Sequence, residues 1–167
     1  VNLVTDGVQD KTFPFIGEEG DVMERKPTQP SKQFFDRRQV RRILTFGLSV
    51  GLLGCGMFWY LLGLYPYELA VSIMFTAFVC LQWANGLQAQ LEREPYLRDL
   101  RRSLTINPYI FLGIGAGLCL QLVAVYVIPG VFGVVPLAPG HWAYVVALSL
   151  ASFFIVEGMK WYEVGWT

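Results

Sequence analysis

Charge is missing from three long stretches of this chain. No Asp, Glu, Lys or Arg occurs from Ile43 to Tyr67, from Leu69 to Leu91, or from Ser103 to Val156. A charged side chain at a bilayer centre costs roughly 2.5–3.5 kcal/mol on insertion scales, so gaps of this kind are what spanning helices require. Cysteine is scarce as well. Cys55, Cys80 and Cys119 fall inside the apolar segments with no metal-ligand spacing, which speaks against a zinc site and predicts small buried packing residues. His141 is the lone histidine, next to Trp142, and reads as an interfacial residue. A phosphate-binding loop, a glycine-rich dinucleotide loop and a serine or cysteine triad are all missing, so the chain by itself carries no catalytic centre and no bound cofactor. The N-terminal stretch is polar and the apolar runs are internal, so signal-peptide logic does not apply. No nucleic-acid partner is expected.

What is present is apolar. Hydrophobic residues make up 54% of the 167 and charged residues 16%, a balance that suits a membrane protein better than a soluble domain. A hydrocarbon core of about 30 Å takes roughly 20 helical residues. Four segments are long enough, at about 43–64, 69–91, 108–129 and 142–160. Tyr65-Pro66-Tyr67 separates the first two as a tight hairpin with aromatic anchors. Asn107-Pro108 opens the third as an N-cap candidate with proline at the first helical position, and Pro129-Gly130 closes it. The fourth follows a loop containing Pro136, Pro139 and Gly140. The predicted fold class is all-α and integral to the membrane: four transmembrane helices (43–167), preceded by the end of a truncated helix (1–9) and by a linker with a basic amphipathic segment (10–42). The sequence starts in mid-pattern on Val1, and the expectation is a C-terminal piece of a larger membrane protein.

Several polar residues stand out against this background. Asn2, Thr5 and Asp6 are spaced i, i+3 and i+4 and share one face if helical. Gln82 and Asn85 lie three residues apart deep in the second span, and Gln121 lies in the third. Amides in such places are costly unless they bond to a neighbouring helix or line a polar pathway. Gly47-x-x-x-Gly51 and Gly113-x-x-x-Gly117 are predicted to let helices approach closely.

Taken together these residues resemble the C-terminal membrane part of P-type cation-transporting ATPases, the group of calcium pumps and sodium–potassium pumps. Val1-Asn2-Leu3-Val4-Thr5-Asp6-Gly7 looks like the end of the sixth membrane helix of calcium-type pumps. Gly20-Asp21-Val22-Met23-Glu24-Arg25-Lys26-Pro27 is similar to the element that follows that helix. Gln82-Trp83-Ala84-Asn85 resembles the Gln-Trp-Ala-Asp of the eighth helix in sodium–potassium pumps. Asn107-Pro108, Tyr126 with Pro129, Trp142, and Glu157 with Lys160 fall where the ninth and tenth helices carry such residues. The resemblance covers essentially the whole chain and makes the four spans helices seven to ten. Asp10-Lys11-Thr12 shares its first three residues with the pumps' Asp-Lys-Thr-Gly-Thr phosphorylation motif. It continues Phe13-Pro14 without a nucleotide-binding domain around it, so no phosphoacceptor role is expected.

The resemblance implies that Asn2, Thr5, Asp6 and Gln82 are metal ligands for the transported cation, with Asp6 central and Asn85 a further candidate. Gln82 stands where two-site calcium pumps have a glutamate, Asn85 where sodium–potassium pumps have an aspartate, and the third span carries no acid. These departures weigh against a second calcium site and a third sodium site. The amide at Asn2 favours the calcium type. A hard cation such as calcium takes about six to eight oxygens, and one carboxylate is too few to hold it in lipid. Further ligands, the ATP site and its magnesium are therefore expected from upstream parts of the pump, which would be this chain's partner alongside the lipid bilayer. The expected function is cation export, of calcium in the first place. A pump for sodium or another monovalent cation is the first alternative, and a stand-alone four-helix protein that binds a partner is the second.

Lys and Arg set the expected orientation. Lys11, Arg25, Lys26, Lys32, Arg37, Arg38, Arg41 and Arg42 precede the first span, and Arg93, Arg98, Arg101 and Arg102 follow the second. The other two loops carry none, which predicts both termini and the Arg93–Arg102 loop in the cytoplasm; the membrane expected is a plasma or inner membrane. Gly133→Cys and Arg98→Cys, placed singly in a background lacking the native cysteines, test this with an impermeant thiol reagent added outside. Gly133→Cys should label and Arg98→Cys should not; the reverse overturns the orientation.

Overall fold

A computed structural model describes residues 7, 9–17, 37–91 and 94–164. The regular structure among them is helical. Four long helices dominate: α1 (Arg37–Leu64), α2 (Tyr67–Ala89), α3 (Tyr109–Leu122) and α4 (Trp142–Val164). The helical stretches long and apolar enough to cross a membrane are Ile43–Leu64, Tyr67–Ala89, Tyr109–Val127 and Pro139–Glu163. In lipid every backbone N–H and C=O has to be satisfied within the segment, and a helix does that for an uninterrupted apolar run. Pro66 breaks the first run. It has no N–H to continue α1, while its carbonyl accepts from Leu69 and Ala70 and so starts α2 two residues earlier than the apolar pattern suggests. α3 passes into a π-helical turn at Val123–Val127 and ends before Pro129.

The core lies around α2, whose apolar residues point in several directions because other helices surround it. Ile73, Ala77 and Leu81 pack with Leu61 of α1, Val125 after α3, and Val145 and Leu148 of α4. α1 is peripheral: Leu44, Leu48, Leu52 and Trp59 face outward. A lipid tail is as apolar as a leucine, so apolar character alone does not distinguish the inward from the outward face. This corrects the expectation for the cysteines, since Cys55 and Cys119 are exposed on the bundle and Cys80 is half-buried. It also corrects Gly47 and Gly51, beside which an added Cβ would meet nothing within 4 Å. Gly117 does serve close approach. An added Cβ there would lie 3.0–3.1 Å from the Trp83 indole.

Each end of the bundle has its own clasp. At the end with uncharged loops, Tyr65 packs edge-on against His141 and its hydroxyl lies 3.3 Å from that of Tyr144. His141 Nδ1 accepts the Ala138 N–H, and Trp142 Nε1 donates to the Tyr126 hydroxyl, which donates to the Leu137 carbonyl. The opposite end is built on charge. The buried Glu157 carboxylate accepts from Gln88 Nε2 at 2.8 Å, from the backbone N–H of Tyr96 at 2.9 Å and of Leu97 at 2.8 Å, and from Trp161 Nε1 at 3.2 Å. Lys160 Nζ donates to the carbonyls of Gln88 and Leu91 at 2.6 and 2.8 Å. Arg41 of α1 pairs with Glu163 of α4 at 2.6 Å. Tyr96 packs on Phe153, and burial pushes its phenol pKa upward.

Inside the bundle, Gln121 settles as an interhelical bond, donating from Nε2 to Thr76 Oγ1 at 3.1 Å, while its Oε1 is buried without a hydrogen-bond partner. Gln121→Leu removes one bond together with one unsatisfied acceptor, so it should change stability by less than about 1 kcal/mol. Gly117→Val overpacks against Trp83 and should cost about 1–3 kcal/mol. Thermal unfolding of the purified protein in detergent distinguishes the two. Equal shifts would show that Trp83 yields freely.

Candidate functional site

Residues 9–17 form a compact strap laid over the charged end of the bundle. Thr12 closes it locally, its N–H and its Oγ1 both donating to the Gln9 carbonyl at 2.9 and 2.7 Å. Pro14 suits the short 3-10 turn Phe13–Phe15, where a missing N–H is not needed. Asn107, expected as a helix cap, instead reaches across and donates from Nδ2 to the Thr12 carbonyl at 2.9 Å. Its side chain makes no cap bond, since Pro108 is the residue that borders α3, and only its backbone carbonyl serves the helix start by accepting from Ile110. Gly17 donates its N–H to the Ile106 carbonyl, and Phe15 packs against Tyr109. Asp10-Lys11-Thr12 thus belongs to a structural turn, with Thr12 as its anchor.

The strap carries Gln9 onto α2. Gln9 is buried, and its Nε2 donates to the Trp83 carbonyl at 3.3 Å. Gly86 is what admits it. A Cβ at Gly86 would overlap the Gln9 side-chain amide, so any other residue there displaces it. Beside this contact lies a cavity of about 320 Å³ lined by Gln9, Asp10, Phe13, Gln82, Asn85 and Gly86, among others. Gln82 and Asn85 are both half-buried and face it from one side of α2. A second hollow, between α1 and α2, is lined by glycine, Cys55 and apolar side chains such as Phe58, Met74 and Phe78, and offers a cation nothing.

The cavity's chemistry is that of neutral oxygens with one acid. Among the described residues no three His, Cys, Asp or Glu side chains converge into a metal cluster. Amide carbonyls beside a single exposed carboxylate, Asp10, can accept a cation that keeps much of its water. They do not offset the cost of stripping a divalent ion bare.

Of the residues singled out from the sequence, Gln82 and Asn85 come together here, and Gln121 points elsewhere. Asn2, Thr5 and Asp6 lie outside the described residues. Gln9 and Asp10 were not foreseen as lining residues. Gln9 did have a signal, since it continues the spacing of Asn2, Thr5 and Asp6 to i+7, the pattern of one helical face. Asp10 had none.

A family model for the C-terminus of cation-transporting ATPases matches residues 1–162. The chain belongs to that family. It is also similar to a calcium-transporting ATPase of Bacillus subtilis (strain 168), 28% identical over 162 residues, which is 95% of this chain and 18% of that relative. The chain therefore spans less than a fifth of the length of the curated relative it matches. As a cation-transporting ATPase C-terminal domain it is an integral membrane protein, and its four apolar helices are the membrane part of that assignment.

In this domain Gly86 decides whether the strap can seat. Gly86→Val should expel Gln9 and forfeit its hydrogen bond, worth about 1 kcal/mol, so amide exchange in residues 9–17 should quicken about fivefold. Hydrogen–deuterium exchange read by mass spectrometry checks this. Unchanged exchange would mean that the strap is held by Asn107 and Phe15 alone.

Proposed function

We propose that this domain is the C-terminal membrane part of an ATP-driven P-type pump that exports calcium from the cytoplasm, with both of its termini on the cytoplasmic side of a plasma or inner membrane. One observation carries the ion-pathway reading. Gln9, three residues after Asp6, is held against the face of α2 that presents Gln82 and Asn85 to a polar cavity. Calcium as the cargo is supported by the name of the Bacillus subtilis relative and by the amide at Asn2.

In this reading Asp6 supplies the charge that offsets cation dehydration, and Asn2, Thr5 and Gln82 supply neutral oxygens, with Asn85 at the margin of the site. The remaining carboxylates, the ATP and magnesium site and the machinery of alternating access come from the rest of the pump, the domain's partner. A pump for a monovalent cation is the second reading. The neutral amides at Gln82 and Asn85 favour it, because a singly charged ion needs less opposing charge.

Binding of radioactive calcium to the purified full-length pump distinguishes the readings. One calcium per molecule is expected in the wild type and none in Asp6→Asn, with Gln82→Glu adding a second, weaker site or remaining protonated through desolvation. Two calcium ions per wild-type molecule would show that Gln82 does not limit the count. No calcium binding, with ATPase activity stimulated by sodium, would establish the second reading.

A further inference from the structure

α2 ends in a way that ordinary helix physics does not leave stable. The last four carbonyls of a helix have no intrahelical donors, and the aligned peptide dipoles leave a partial negative charge there. At this end of α2 Gln88, Gln90 and Leu91 are buried, although Ala89 is exposed, so water does not serve as the default donor to the buried carbonyls. Lys160 of α4 meets it, donating to the Gln88 carbonyl in the last turn and to the Leu91 carbonyl two residues past the helix. One turn earlier on α4, Glu157 takes the Gln88 side-chain amide and the N–H groups of Tyr96 and Leu97 in the chain that leaves α2. Gln88 is therefore gripped twice, at its carbonyl by the base and at its amide by the acid.

We infer that Glu157 and Lys160 are positioning residues for the cation pathway: they fix the end of α2 and thereby the placement of Gln82 and Asn85. The inference rests on the pump reading above. Asn85 lies three residues before Gln88 and Gln82 six, which on a helix is about 4.5 and 9 Å along the axis. Fraying or rotation of the final turn would move Asn85 at once and loosen the Gly86–Gln9 contact beside it. Because the grip comes from α4, a shift of α4 along or around its axis is passed to the cavity through two charged side chains. Neither residue lines the cavity, so any effect they have on cation affinity runs through the elements they hold, α2 and the chain that leaves it.

The test uses the full-length pump and the double variant Glu157→Gln with Lys160→Met, which removes both charges together and leaves neither of them buried alone. Leu148→Ala, in the core and not among the cavity's lining residues, serves as a control brought to the same loss of thermal stability by choice of temperature. Two quantities are read: the apparent cation affinity in phosphorylation by ATP, taken on unlabelled protein because Ala89 borders the cavity, and the spread of distances between spin labels at Ala89→Cys and Leu150→Cys in an otherwise cysteine-free background. The double variant should lower apparent affinity by about threefold to thirtyfold, with the maximal phosphoenzyme level retained and the label distances broadened. Leu148→Ala should alter neither quantity. Unchanged affinity in the double variant, or an equal loss in Leu148→Ala, overturns the positioning role. Label distances that stay narrow in the double variant overturn the grip itself, and this readout needs no cation. A wild-type pump that answers to neither calcium nor sodium counts against the pump reading, separately from the grip.

Discussion

Lys160 brings an ammonium group to the carbonyl end of a buried helix, and much of this domain's organisation follows from that contact. An unpaired charge in such surroundings would cost several kcal/mol. Among the described contacts the charge meets the partial charge of the α2 terminus and makes two direct hydrogen bonds, while Glu157 on the same face of α4 collects four donors of its own. Each group answers the other's difficulty. The helix end needs donors, the chain leaving it needs an acceptor, and α4 supplies both from positions three residues apart. With Arg41 bound to Glu163 three residues further on, α4 ties α1, α2 and the outgoing loop at one level of the bundle.

The rest of the charged end is arranged on that base. With α2 held, Gly86 offers a gap on its surface, Gln9 fills it, and the strap from 9 to 17 closes over the start of α3 through Asn107. The polar cavity is the space left between strap and helix. Its lining is made of amides because these residues must sit beside apolar helices without the desolvation penalty of full charges, and its carboxylate stays at the exposed rim. At the opposite end the same problem is solved without charge, by hydroxyl, indole and imidazole groups that pair with one another and with loop carbonyls.

The sequence by itself determined the four helices, because a run without charge of roughly 20 residues has one sound backbone conformation in lipid. It also determined the breaks between them at Pro66 and Pro129, and it pointed to Gln82 and Asn85, since amides in a span demand an explanation. Family membership was legible in the same motifs. Only the tertiary structure decided which apolar residues face inward, and it left Cys119 and Gly47 exposed and set Cys55 and Gly51 along an open hollow between α1 and α2, where the sequence pattern suggests burial or close contact. It decided that Gln121 bonds to Thr76 and not to the cavity, that the Asn107 side chain anchors a strap and does not cap α3, and that Gly86 leaves the room Gln9 fills. These outcomes depend on what lies opposite a residue across the bundle. Helical periodicity records the side a residue is on, and the partner that meets it there is chosen only when distant segments pack.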